Sequence, residues 1–153
     1  MILYIENQKK ITNNFVRYVM NLIICIEENK GYSFFNRRQS KDVLLRERIL
    51  SVTENCALWM NEYSAKQFDK GENIVVDDDF LFNAPLGAYC FVETNDISLQ
   101  NVEKVVLYKW NRSYPSDKYF SFDLLSESFV LVSSCDFKGN SHDNITEEIY
   151  VKK

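Results

Sequence analysis

VEKVVLYKWNRSYPSDKYFSFDLLSESFVLVSSCDFKGNSH, residues Val102–His142, carries the clearest strand signals in the chain. In Tyr119–Leu124 the alternation has period two, with Phe120, Phe122 and Leu124 on one face and Tyr119, Ser121 and Asp123 on the other. Val102–Trp110, Phe129–Ser134 and Glu147–Lys152 read as further strands. Short connections between them make antiparallel pairing the economical arrangement.

Upstream the pattern reads as helical. Met1–Glu6 is a short strand candidate, and Thr12 or Asn13 then offers an N-cap to a helix reaching Lys30. Phe15, Val16, Val19, Met20, Ile23 and Ile26 fall on one helical face, and Gly31 supplies the stop. Ser40 caps a second helix beginning at Lys41, with Asp42 in its first turn. Its stripe of Leu45, Ile49, Val52 and Cys56 continues through Trp59, Met60 and Tyr63 to Phe68. Glu72–Val76 and Ala88–Glu93 are strand candidates, and Asp77, Asp78 and Asp79 favour the start of a short helix before Pro85. The expected fold is therefore α+β, with an N-terminal layer of two to three helices packed on a C-terminal, mainly antiparallel β-sheet. A single globular domain over residues 1–153 is expected.

Composition limits the partners. Lys and Arg total 18 against 22 Asp and Glu, a net charge of −4, which gives no general attraction to nucleic acid or anionic membrane. The basic surplus lies around Arg37, Arg38, Lys41, Arg46 and Arg48, so RNA could be held only by a local basic patch. Cys25, Cys56, Cys90 and Cys135 form no CxxC pair, which argues against zinc and for reduced, buried thiols in a cytoplasmic protein. No secretion signal and no apolar run of spanning length is read, so no membrane partner is expected. No cofactor motif is found either: GxGxxG, GxxxxGK, GxSxG and HExxH are all missing.

Two clusters could carry chemistry. In Trp110–Asp117, WNRSYPSD, Pro115 stiffens the loop that presents Arg112, whose planar fork suits a phosphate or carboxylate. In Asp136–Tyr150, DFKGNSHDNITEEIY, the only histidine of the chain, His142, follows Gly139 in a polar turn beside Ser141, Asp143 and Thr146. Metal-independent RNA cleavage needs an acid, a base and a cation at the phosphate. His142, Arg112, Tyr150, Thr146 and Asp117 are the candidate catalytic set, and Arg37, Arg38, Trp110, Asn111, Tyr114 and Ser141 the candidate binding set. The plan of helices first, sheet last and a late histidine resembles small microbial ribonuclease toxins at the level of plan alone.

Two functions follow as expectations. The leading one is an interaction or regulatory module presenting Trp, Tyr and Arg-rich loops to a protein partner, since these residue types dominate interface hot spots. The alternative is a small ribonuclease with a His/Arg phosphate-cleaving site. Neither needs a cofactor or a metal.

Overall fold

The computed structural model describes residues 20–69 and 73–153. The elements run β1 (Met20–Ile26), β2 (Gly31–Phe34), β3 (Arg37–Arg38), α1 (Val43–Val52), β4 (Leu58–Met60), α2 (Glu62–Ala65) and β5 (Ile74–Val76). They continue with α3 (Phe80–Asn83), β6 (Tyr89–Val92), β7 (Val102–Lys109), β8 (Lys118–Tyr119), β9 (Phe129–Phe137) and β10 (Ile145–Lys152). A seven-stranded sheet has the order β5-β4-β6-β1-β7-β10-β9, and β3-β2-β8 form a small second sheet. β5, β4, β6, β1 and β7 are parallel, while β10 and β9 add antiparallel strands at one side.

The expected helical layer on an antiparallel sheet is overturned. The end of the expected first helix is β1, the central strand of a mainly parallel sheet, and the first part of that helix lies outside the described residues, as does the expected strand at Met1–Glu6. The reason is physical: a strand covered on both faces reads as a nearly continuous apolar run, so MNLIICI lacks the alternation that marks a half-exposed strand. Leu22, Ile24 and Ile26 enter one core layer with Val92, Val105, Leu107, Phe80 and Phe120. Ile23 enters the other with Leu45, Ile49, Phe91, Val106, Tyr108 and Trp110.

The second expected helix is broken into α1, β4 and α2. Asp42, not Ser40, is its N-cap, accepting from the amides of Leu44 (3.0 Å) and Leu45 (3.1 Å). Leu45 and Ile49 are the buried face that lays α1 on the sheet. At Thr53 the helix stops, its hydroxyl returning to the Ile49 carbonyl, and Leu58–Met60 enters the sheet between β5 and β6. Of the expected strand Tyr119–Leu124 only Tyr119 pairs, as the end of β8; Phe120 and Leu124 pack into the first core layer from an irregular segment. α3 forms before Pro85 as expected, with Asp77 accepting from the Asp79 amide (2.8 Å) and the Asn83 side chain (2.9 Å). No helix among the described residues is long and apolar enough to cross a membrane.

The chain leaves β1 toward β4 and leaves β7 toward β9, in opposite directions along the sheet. In open sheets of this kind the crevice outside the carboxyl ends of such strands is where ligands settle. The β2–β3 hairpin follows β1 there, and residues 110–117 follow β7 there.

Candidate functional site

Two glycines let this edge close up. A Cβ at Gly31 would run into the Ser116 side chain, so glycine lets residues 114–117 lie against the start of β2. A Cβ at Gly139 would strike the Asp42 carboxylate; here too glycine is needed for space, not for a left-handed backbone. Through that gap Asp42 accepts from the amides of Asn140 (2.9 Å) and Ser141 (2.8 Å) as well as from its own helix. Burial pushes the Asp42 carboxyl upward, but these backbone donors together with His142 outweigh it and hold the group well below the usual carboxylate range.

His142 stands behind this carboxylate with a side chain only 1% exposed. Its Nδ1 is 3.0 Å from Asp42 Oδ2, and its ring is stacked on Trp110 at 4.5 Å between centroids. Nε2 faces the Tyr114 hydroxyl at 2.9 Å and the Ser40 hydroxyl at 3.2 Å. With Asp42 ionised the neutral ring carries its proton on Nδ1, which leaves Nε2 to accept from Tyr114. Tyr114 also lines a hollow of about 230 Å³ with Phe34, Phe35, Arg37, Arg38, Gln39 and Pro115. The tyrosine thus joins a buried carboxylate–imidazole pair to a space open to small molecules.

A second polar cluster closes the carboxyl ends of β6 and β4. Arg38 grips Glu93 with two bonds, Nε to Oε2 at 2.9 Å and Nη2 to Oε1 at 3.0 Å, while Ser64 donates to Oε1 at 2.8 Å. The guanidinium lies 4.3 Å over the Tyr63 ring, and the Tyr63 hydroxyl receives the Arg38 amide at 3.0 Å. A third cluster ties α1 to the sheet: Arg48 holds Glu147 at 2.8 and 2.9 Å, and Tyr108 donates to the same carboxylate at 2.8 Å. Burial raises the Glu147 carboxyl, but the bonds from Arg48 and Tyr108 bring it below its ordinary value.

Some candidates from the sequence meet here. Trp110, Tyr114, Ser141 and His142 form one contact set, and Arg112 donates to the Ser141 carbonyl at 3.1 Å, beside His142. Arg37 and Arg38 reach the same hollow from β3. Asp117 accepts from the Phe35 amide (3.0 Å) and steadies the hairpin tip. Asn111 and Thr146 bond each other at 2.9 Å outside the hollow. Tyr150 packs with the opposite core layer and bonds Glu148, away from His142. Sequence reading missed Ser40, Asp42, Gln39, Tyr63 and Glu93 as site residues. The only local sign was Asp42 at a helix start, and nothing along the chain links it to a histidine a hundred positions later. The four cysteines are free thiols as expected, but Cys56 is exposed and only Cys90 is fully buried as a residue.

No protein-family model matches the sequence, and no curated protein sequence matches it. Among solved structures the chain is similar to dihydrofolate reductase from Enterococcus faecalis, complexed with NADP(H) and RAB-propyl, with a TM-score of 0.60 at 8% identity. The likeness covers 88% of this chain and 96% of that one. It overturns both functional expectations, the interaction module and the ribonuclease, which rested on loops at the end of a mainly antiparallel sheet; the Tyr114 loop follows the carboxyl end of the parallel strand β7, and the His142 turn joins antiparallel β9 and β10 at that same edge. At this identity the likeness speaks for architecture: the chain has the mixed α/β fold of dihydrofolate reductase.

Proposed function

We propose that the chain is a small-molecule enzyme on the dihydrofolate-reductase fold, whose own residues carry out proton transfer at the hollow between the β2–β3 hairpin and residues 114–117. The observation that carries this reading is the line of contacts from Asp42 to His142 (3.0 Å) and from His142 to the Tyr114 hydroxyl (2.9 Å), ending in the hollow. Tyr114 is the group within reach of a bound molecule. His142 exchanges a proton with it, and Asp42 orients the ring and offsets the charge the imidazole gains. Run one way, the chain of groups protonates the bound molecule; run the other, it removes a proton. Isomerisation or tautomerisation requires nothing more. A reducing, cytosolic setting suits the four free thiols.

The second reading, reduction by a dinucleotide, is favoured by the fold likeness to a reductase complexed with NADP(H). A pyrophosphate is held by main-chain amides of a glycine-bearing turn at a helix start. Here β4 is followed by Asn61 and then by the four-residue helix Glu62–Ala65, with the Asn61 side chain already on the Ser64 amide. β6 is followed by Glu93, Thr94 and Asn95, with neither glycine nor helix before β7. Glu93 adds a buried negative charge already matched by Arg38. These residues do not fit a pyrophosphate, and no step is routed through a dinucleotide.

Proton NMR of a metabolite mixture in deuterated water tests the first reading. The chain is expected to wash out specific C–H signals, and Tyr114→Phe to slow this by about a hundredfold or more. If the unaltered chain exchanges no signal, the proton-transfer reading is wrong. Saturable quenching of its tryptophan fluorescence by NADPH would put reduction in its place.

A further inference from the structure

The turn between β2 and β3 is strained at an unexpected residue. Phe34 pairs with Arg37, leaving Phe35 and Asn36 as a two-residue turn with φ of 50° and 59°. Such turns demand positive φ at both positions and draw Asn, Asp or Gly. Asn36 conforms, whereas a bulky aromatic with positive φ is a steric outlier. The strain is not repaid by burial, because Phe35 is 74% exposed. Its ring lies 4.2 Å from that of Phe34 along the wall of the hollow that Tyr114 and Pro115 complete. Strain kept where it yields no core packing marks a position selected for contact with something else.

A further feature states what that contact is. Arg37 is exposed beside the hollow, and its guanidinium has no ion-pair or hydrogen-bond partner among the described residues, in contrast to Arg38, which is engaged by Glu93. Gln39 lines the same space, and its amide nitrogen is committed to Pro115 and Ser116, which fixes the side chain as part of the wall. Around one small volume stand aromatic walls and one cation that is free among the described residues.

We infer that the hollow takes a flat aromatic molecule bearing a single anionic group. The ring lies against Phe34, Phe35 and Tyr114, and the anion meets Arg37. This rests on the reading of the hollow as the ligand site, and it narrows the substrate class. A dinucleotide, with its several charges and two bases, exceeds the one cation left free among the described residues at the hollow and the volume of about 230 Å³.

Anthranilate is a suitable probe, since it is fluorescent and carries a flat ring and a carboxylate together. Titrated with the full chain it is expected to show a saturable change, with benzylamine and cyclohexanecarboxylate binding at least about tenfold more weakly. Arg37→Ala and Phe35→Gly are each expected to weaken anthranilate by about tenfold or more, and Phe35→Gly to raise the melting temperature at the same time. A residue with a merely structural role would not gain stability while losing ligand. No saturable binding, equal binding of benzylamine, or unchanged affinity in both variants would overturn the inference. Tyr114→Phe separates the two proposals: it keeps the ring wall, so it is expected to bind anthranilate within about twofold of the unaltered chain while losing deuterium exchange. Exchange without anthranilate binding defeats the ligand class alone, and binding without exchange defeats the reaction alone.

Discussion

Asp42 serves three elements at once, capping α1, receiving the amides of Asn140 and Ser141, and orienting His142. Its folded pKa lies below the unfolded value of about 3.9, so its stabilisation is complete above that value and is lost as pH falls below it. Asp42→Ala is expected to cost about 3 kcal/mol at neutral pH and to flatten the acid limb of a urea-unfolding series measured against pH. Glu147 follows the same sign. Arg48→Met leaves that carboxylate buried without its partner, and because Arg48 itself is partly exposed the expected cost is about 2 kcal/mol. Adding Glu147→Met is expected to restore most of it, since an apolar pair of similar volume removes the uncompensated charge. Phe35→Gly relieves positive-φ strain worth about 1 kcal/mol, read as a rise in melting temperature.

The sheet sets a gradient of local stability from its centre to its edges. β1 is bonded on both sides by β6 and β7 and buried on both faces, whereas β5 and β9 are edge strands. Hydrogen exchange under native conditions is expected to leave β1 and β7 amides protected longest and to open β5 and β9 first. Ile24→Ala, in the middle of β1, is expected to cost about 3 kcal/mol in urea titration. β9 presents Val130, Leu131 and Val132 on a strand with one edge unpaired among the described residues, a pattern prone to strand pairing between molecules. A charge at the bulged position, Val132→Lys, is expected to reduce light scattering at high concentration and leave the melting temperature unchanged.

Across the molecule the thiols report on global opening. Burial pushes the Cys90 thiol up to about 12, and its residue is wholly enclosed, whereas Cys56 is exposed. Alkylation is expected to reach Cys56 in the native protein and Cys90 only at the rate of global unfolding, measured by mass spectrometry over time. Reading the sequence alone located β6, β7, β9 and β10, the short helix α3 before Pro85, and the two polar loops that carry Tyr114 and His142, because turn residues and period-two patterns are local properties. It read β1 as helix for an equally local reason, since a strand covered on both sides shows no alternation and MNLIICI offers none. The parallel order of the strands, and with it the convergence of both loops on one edge, depended on which strands lie beside β1, and no short window contains that information. The pairing of Asp42 with His142, of Arg38 with Glu93 and of Arg48 with Glu147 joins residues 55 to 100 positions apart. Local propensity determined the pieces; burial of two core faces against one central strand decided where their side chains meet.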